Sequence, residues 1–200
     1  MTIGLRRALA AAAALLTALY FVPALGQAAG TLGLEQLMHE LAQVKSSRGK
    51  FVERKYLAML DTPLESSGTL AYAAPGRLEK HMLAPREESL ILDGDTLIIE
   101  NKRTGKRRSL TLQENPVVWG FAEGIRSTLN GDLATLRRFY KVALEGDFRA
   151  WRLRLEPTEP RMRQAAAEIR LGGSGTWVNR IEIFEAGGDR SETVITREPS

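Results

Sequence analysis

From about Ser47 the hydrophobic period of this chain changes from helical to two, and turn residues then interrupt it at short intervals. The breaks are Asp61-Thr62-Pro63, Ala74-Pro75-Gly76, Ala84-Pro85, Asp93-Gly94 and Thr104-Gly105. Alternating segments joined by turns this short pair with their immediate neighbours, which is an antiparallel meander. The pattern predicts strands near residues 48–58, 64–73, 77–83, 87–92, 96–101 and 106–112. One hairpin departs from alternation. Leu90, Ile91 and Leu92 stand in a row before Asp93-Gly94, and Leu97, Ile98 and Ile99 follow it. A strand covering a core on one side alternates, so an unbroken triplet has two apolar faces. Either the hairpin is core on both sides, or one face lines an interior covered by helices. Periodicity leaves both open.

Two helical regions frame this meander. In "LGLEQLMHELAQVK", Leu34, Leu37, Leu41 and Val44 share one stripe. The middle stretch "NPVVWGFAEGIRSTLNGDLATLRRFY" opens with Asn115 as an N-cap and Pro116 at the first helical position. Val118, Phe121, Ile125 and Leu129 form its stripe, Asn130-Gly131 ends it, and Asp132 caps a second short helix through about Arg138. Strand alternation then returns in "FYKVALEGD", "AWRLRLEP", "AAAEIRLGG", "TWVNRIEIFEA" and "SETVITRE". Trp151, Leu153 and Leu155 point one way, and Arg152 and Arg154 the other. The expected fold is a single α+β domain with an antiparallel sheet of about 10–11 strands. Such a sheet is too long to stay flat and should curl into a barrel or half-barrel, with the helices on its concave side.

The first 28 residues stand apart from that domain, which is assigned to 29–200. Arg6 and Arg7 precede an apolar run from Ala8 to Val22, then Pro23 and a small-residue stretch ending at Ala28. This order is that of a secretory signal peptide, and its run is short for a membrane span of ~20 residues. Removing it takes two Arg and no acid from 28 basic and 24 acidic residues, leaving 26 against 24. A balance so even lacks the basic footprint that nucleic acid requires. The absence of cysteine excludes thiol chemistry, thiolate metal sites and lipidation of the chain's own cysteine. His39 falls off the first helix's apolar stripe, and His81 alternates with Arg77 and Glu79 on a polar face. Neither has metal-ligand spacing, and no serine sits in a nucleophile elbow. The reading is a non-enzyme without cofactor or metal.

Three features admit more than one role. Lys80 lies between Leu78 and Met82 on an apolar face, as a cavity-rim cation or as a side chain that snorkels out. The hairpin "NKRTGKRRSL" brings Arg103 and Arg107 among its cations, as a solvated tip or a docking point for an acidic partner or anionic headgroups. Gly120 and Gly124 each cost about 1 kcal/mol against alanine inside a helix. They serve either close packing or a soft lid.

The stretch from Phe51 to Asn101 resembles the LolA-like periplasmic carriers of outer-membrane lipoproteins. The features are Phe51 with Glu53, Pro75 with Leu78, Pro85, and Asp93-Gly94 before a strand, in the order signal, helix, meander, helices, strands. The resemblance implies an incomplete, half-open β-barrel with a helical lid over an apolar cavity that shelters acyl chains. It implies cargo of acylated lipoproteins or other lipids, and an inner-membrane transporter and an outer-membrane receptor as partners. It also implies a periplasmic monomer that touches membrane surfaces transiently. By likeness the cavity residues are Leu78, Met82, Leu90, Leu92, Ile98 and Phe121, and the lid residues Val118, Phe121 and Ile125. Lys80, Arg103 and Arg107 are the rim or docking cations.

Two departures mark a divergent member. The family's carriers usually place Arg before the first motif proline, where it helps to hold the lid closed, and here that position is Ala74. Lys80 and Ile98 stand where aromatics are common, in a chain that is only 6% aromatic. The cargo is therefore open between lipoproteins and another amphiphile, such as a glycolipid or a pigment-lipid conjugate. A periplasmic scaffold with a filled core and no lipid is the third reading.

Overall fold

The computed structural model describes residues 33–164 and 166–198. The signal segment expected at 1–28 lies outside the described residues. Helix α1 (Leu34–Ala42) leads into six strands: β1 (Ser46–Tyr56), β2 (Leu64–Ala73), β3 (Arg77–Ala84), β4 (Glu88–Asp93), β5 (Thr96–Asn101) and β6 (Arg107–Thr111). A single 3-10 turn at Leu112–Glu114, α2 (Pro116–Leu129) and α3 (Leu133–Phe139) follow. Then come β7 (Tyr140–Asp147), β8 (Ala150–Pro157), α4 (Pro160–Arg163), β9 (Ala166–Ser174), β10 (Trp177–Glu185) and β11 (Arg190–Arg197). The meander and both long helices fall where the periodicity put them. Asp132 accepts the Thr135 amide at 3.0 Å as the cap of α3, whereas Asn115 makes no side-chain cap for α2. The 3-10 turn and α4 are too short to leave a periodic signal.

All eleven strands form one open antiparallel sheet, in the order β6-β5-β4-β3-β2-β1-β11-β10-β9-β8-β7. The first strand pairs with the last, with Phe51 opposite Ile195, so two meanders spread outward from a common seam. Residues 112–139 must consequently run from one edge of the sheet to the other. Laid flat, eleven strands at ~4.8 Å spacing would separate the edges by roughly 48 Å. The 14 residues of α2 span only about 21 Å. Yet α2 touches both halves: Arg126 Nη1 donates to the Gly94 carbonyl at 2.8 Å, and Gly124 packs against Leu155 and Ile169. The sheet meets both demands by curling around the helix, and remains unclosed.

The concave face divides into two unequal parts. Across β7–β10, Leu153, Leu155, Ile169 and Leu171 are fully buried under Leu37, Met38 and Leu41 of α1 and Leu136 of α3. Gly120 and Gly124 belong to this packing. A Cβ on Gly120 would come within 2.8 Å of Met162 Cε, and one on Gly124 within 3.1 Å of the Tyr140 hydroxyl. Close approach, rather than softness, accounts for both glycines.

On the convex face, Arg77, Glu79, His81 and Ser89 form a polar ladder. Glu79 accepts from Arg77 Nε at 2.8 Å and lies 2.9 Å from His81 Nε2, while His81 Nδ1 lies 2.9 Å from Ser89 Oγ. The series has the residue types of a hydrolytic triad, but Ser89 is 1% exposed and has no access to a substrate. The hydrogen bonds from His81 and then Arg77 hold the Glu79 carboxyl below its ordinary value.

Two expectations follow. A Cβ on Gly173 would lie 2.2 Å from the Trp151 ring, while one on Gly187 meets nothing within 4 Å. Gly173→Ala should therefore cost about 1–3 kcal/mol by denaturant titration, and Gly187→Ala next to nothing. Because the folded state holds Glu79 as the anion more firmly than the unfolded chain does, its stabilisation is present above pH 4.5 and is lost as pH falls through the lower folded value. Glu79→Gln should flatten the acid limb of a stability–pH curve; an unchanged limb would remove Glu79 from that role.

Candidate functional site

The other part of the concave face, over β1–β5 and the seam with β10–β11, is not filled by the described residues. It walls a cavity of about 340 Å³, within the ~300–1,000 Å³ usual for ligand pockets. Strands β2–β5 contribute Leu70, Tyr72, Leu78, Leu90, Leu92 and Leu97, and strands β10 and β11 contribute Trp177, Ile181, Ile183 and Ile195. Leu41 and Val44 close one side from α1 and the segment after it. Val118, Phe121, Ile125 and Leu129, the stripe of α2, cover the top. The unusual hairpin is thus not core on both sides. Its concave residues Leu90, Leu92 and Leu97 line the cavity, and its convex ones, Ile91 and Ile98, are only half-buried.

Leu78, Leu90, Leu92 and Phe121 therefore stand in the wall, as do Val118 and Ile125. Ile98 does not. It pairs with Ile91, whose other neighbour is Glu79, and directly opposed residues of an antiparallel sheet share a face. Ile98 is on the convex side, and Leu97 takes the place expected of it. An unbroken apolar triplet has no phase, so alternation could be set one residue out, which reverses the face of every side chain. Met82 lies on the concave face, pairing with Gly68 and Glu88, but beyond the cavity wall. Arg103 and Arg107 are exposed on the β5–β6 hairpin and are not part of the wall.

Lys80 is in the wall and does not snorkel. Its Nζ lies 2.7 Å from Glu53 Oε2 and 4.9 Å from the centroid of the Phe51 ring. Glu53 also accepts from Ser66 Oγ at 3.1 Å and from Thr193 Oγ1 at 3.4 Å. Either charge alone would be costly in an apolar wall, and the pair with its hydroxyl partners offsets much of that cost. Glu53 was legible only as a family position, and its partner 27 residues away had no local signal.

The helix that covers the cavity is held by polar contacts from its own C-terminal end. Asn130 Nδ2 donates to the Pro75 carbonyl and Asn130 Oδ1 accepts from the Tyr72 hydroxyl, both at 2.6 Å. Burial raises the Tyr72 pKa, which keeps that hydroxyl a donor. Arg126 bonds the Gly94 carbonyl and Glu123, and its chain packs on Gly76, where a Cβ would lie 2.6 Å from Arg126 Cδ. At the other end the Tyr140 hydroxyl donates to the Gly120 carbonyl, and burial together with the nearby Glu123 charge keeps it protonated. Among the described residues, no helix is long and apolar enough to cross a membrane, and no group of His, Asp or Glu has the arrangement of a metal site.

Comparison with known proteins bears on this architecture. A comparison with curated protein sequences gives no match. Among solved structures, a LolA superfamily protein from Nitrosomonas europaea aligns at 10% identity and TM-score 0.45, over 85% of this chain and 95% of that one. A chain of the Pseudomonas aeruginosa MucA/MucB complex aligns at 14% identity and TM-score 0.45, over 82% of this chain and 56% of that one. The family model for outer membrane lipoprotein carrier protein LolA-like chains matches residues 26–198. With nearly the whole sequence matched, and an open eleven-stranded sheet crossed by helices, the chain belongs to the LolA-like outer-membrane lipoprotein carrier family.

Proposed function

We propose that this chain is an exported, non-catalytic carrier that shelters the acyl chains of lipoproteins in its cavity while they cross the periplasm. Cargo would be received from an inner-membrane transporter and given to an outer-membrane receptor. The observation that carries this reading is an aliphatic cavity under a helix that the side chains of the described residues do not fill. Burying acyl methylenes there is worth ~0.8 kcal/mol each, so an unrestricted pocket would never let a long chain go. Release needs an imperfect pocket and a cover of small energy gap. The Glu53–Lys80 pair interrupts the apolar wall, and the polar bonds of Arg126, Asn130 and Tyr72 contribute only about 0.5–1.5 kcal/mol each.

The fastening also bears on Ala74. In this chain the helix supplies the polar side chains and the strand turns supply carbonyls, so a cover can be held without an arginine before Pro75. A second reading is favoured by the ion pair. A charged pair in the wall suits an amphiphile with its own polar head, and so a cargo other than a lipoprotein.

Native mass spectrometry of the protein from its host's periplasm, followed by organic extraction, tests both readings. Bound lipoprotein supports the first, and a bound non-protein lipid the second. A protein that arrives bare and takes up no apolar fluorescent probe is a scaffold. Leu78→Glu and Phe121→Glu should each lower probe affinity more than tenfold, since a carboxylate buried without a partner costs several kcal/mol. Both positions are half-buried, so circular dichroism should show the fold retained; unchanged binding in both variants would sink the cavity assignment. Asn130→Ala removes two bonds from the cover and should speed probe uptake without changing the number of sites.

A further inference from the structure

Antiparallel order sends the β1–β2, β3–β4 and β5–β6 turns to the same end of the sheet. The first of these turns is well braced. The Ala58 amide donates to Asp189 Oδ1 at 2.8 Å, and the Leu60 amide to the Leu57 carbonyl at 2.9 Å. The third is tied to the second, where the Lys102 amide donates to the Glu87 carbonyl at 3.1 Å. On this ordered scaffold the large apolar side chains point outward. Met59 is 85% exposed, Leu83 62%, Leu64 53% and Leu60 44%. Hairpin tips are ordinarily polar. "LAMLDTPL" is not, and no core requirement places its side chains in water.

Charge accumulates at the same end. Residues 57–64, 83–88 and 101–108 carry Arg86, Lys102, Arg103, Lys106, Arg107 and Arg108 against Asp61, Glu87 and Glu88. Lys102 is paired with Glu100 at 3.1 Å. Among the described residues, Arg103, Lys106, Arg107 and Arg108 form no ion pair. Protruding aliphatic side chains flanked by unpaired cations are what an interfacial anchor offers to an anionic bilayer: the apolar groups enter the headgroup–acyl boundary while the cations stay among the headgroups. A protein interface would instead deplete charge at its centre and present a packed, concave or flat apolar surface.

We propose that this end of the sheet is a membrane-docking surface for anionic lipid. Met59, Leu60, Leu64 and Leu83 insert, and Arg103, Lys106, Arg107 and Arg108 bind headgroups. The surface is independent of what the cavity holds. Its consequence for the cavity is one of position, because Glu53 lies in the half of β1 nearer the docked end, with its partner Lys80 at the middle of β3.

Flotation of the purified protein with phosphatidylcholine vesicles, with and without phosphatidylglycerol, tests the assignment. At ~1 kcal/mol per basic residue near the surface, about fivefold each, the four unpaired cations should favour the anionic vesicles by well over tenfold, and added salt should erase much of the preference. Met59→Asp with Leu83→Asp, and separately Arg103→Glu with Arg107→Glu, should each lower partitioning at least tenfold. These residues are exposed, so the folded spectrum should persist in both. Equal partitioning to the two vesicle types, or insensitivity to both double variants, overturns the proposal. Binding to soluble polyglutamate without binding to vesicles also overturns it, and assigns this end to an acidic protein partner.

Discussion

The link between the two edge strands governs this structure. Because β1 pairs with β11, the two meanders grow in opposite directions, and β6 and β7 finish as far apart as the sheet allows. The segment joining them has one available route, across a face. A helix on that route is amphipathic by necessity, and the sheet must curl until both halves reach it. The cavity follows from the same arrangement. One side of the crossing is filled by α1, α3 and α4, and among the described residues the other has no further helix to fill it.

Polar chemistry then decides how firmly the crossing helix is held. Its apolar stripe faces a wall it does not fully contact, so side-chain packing alone would leave it loosely fixed on the cavity side. Arg126 and Asn130 reach the backbone carbonyls of two hairpin turns, which are rigid acceptors of fixed position. On the filled side, Met162, Tyr140, Leu155 and Ile169 approach so closely that a Cβ at Gly120 or Gly124 would require its neighbours to shift. The helix is thus close-packed towards one end, where Tyr140 also bonds it, and fastened by its own polar side chains at the other. The ion pair between Glu53 and Lys80 interrupts the apolar wall beneath it, and the Phe51 ring supports its cation.

Legibility varied with the range of the interaction. The strand boundaries of the first meander lie within about two residues of those expected, because turns and period two are local properties of the chain. The stripe Val118–Phe121–Ile125–Leu129 was equally plain, and so was the cap Asp132. The phase of Leu97-Ile98-Ile99 was not. All three are apolar, and only the register with β4 shows which two face inward. Lys80 was visible as an anomaly on an apolar face, but its partner Glu53 was not, since β1 and β3 are separated by a whole strand and meet through β2. The fastening of the cover was invisible for the same reason: Asn130 and Tyr72 are 58 residues apart.

The sequence by itself determined that this chain makes a long antiparallel sheet with amphipathic helices at its start and middle, because hydrophobic period and turn chemistry act between near neighbours. Tertiary structure decided what those elements enclose. Whether an apolar hairpin is core or cavity wall depends on how much volume the opposing helices supply, and no local pattern records that volume. It emerges from the seam between the first and last strands and from the route between the two edges, which place residues far apart in sequence on either side of one space.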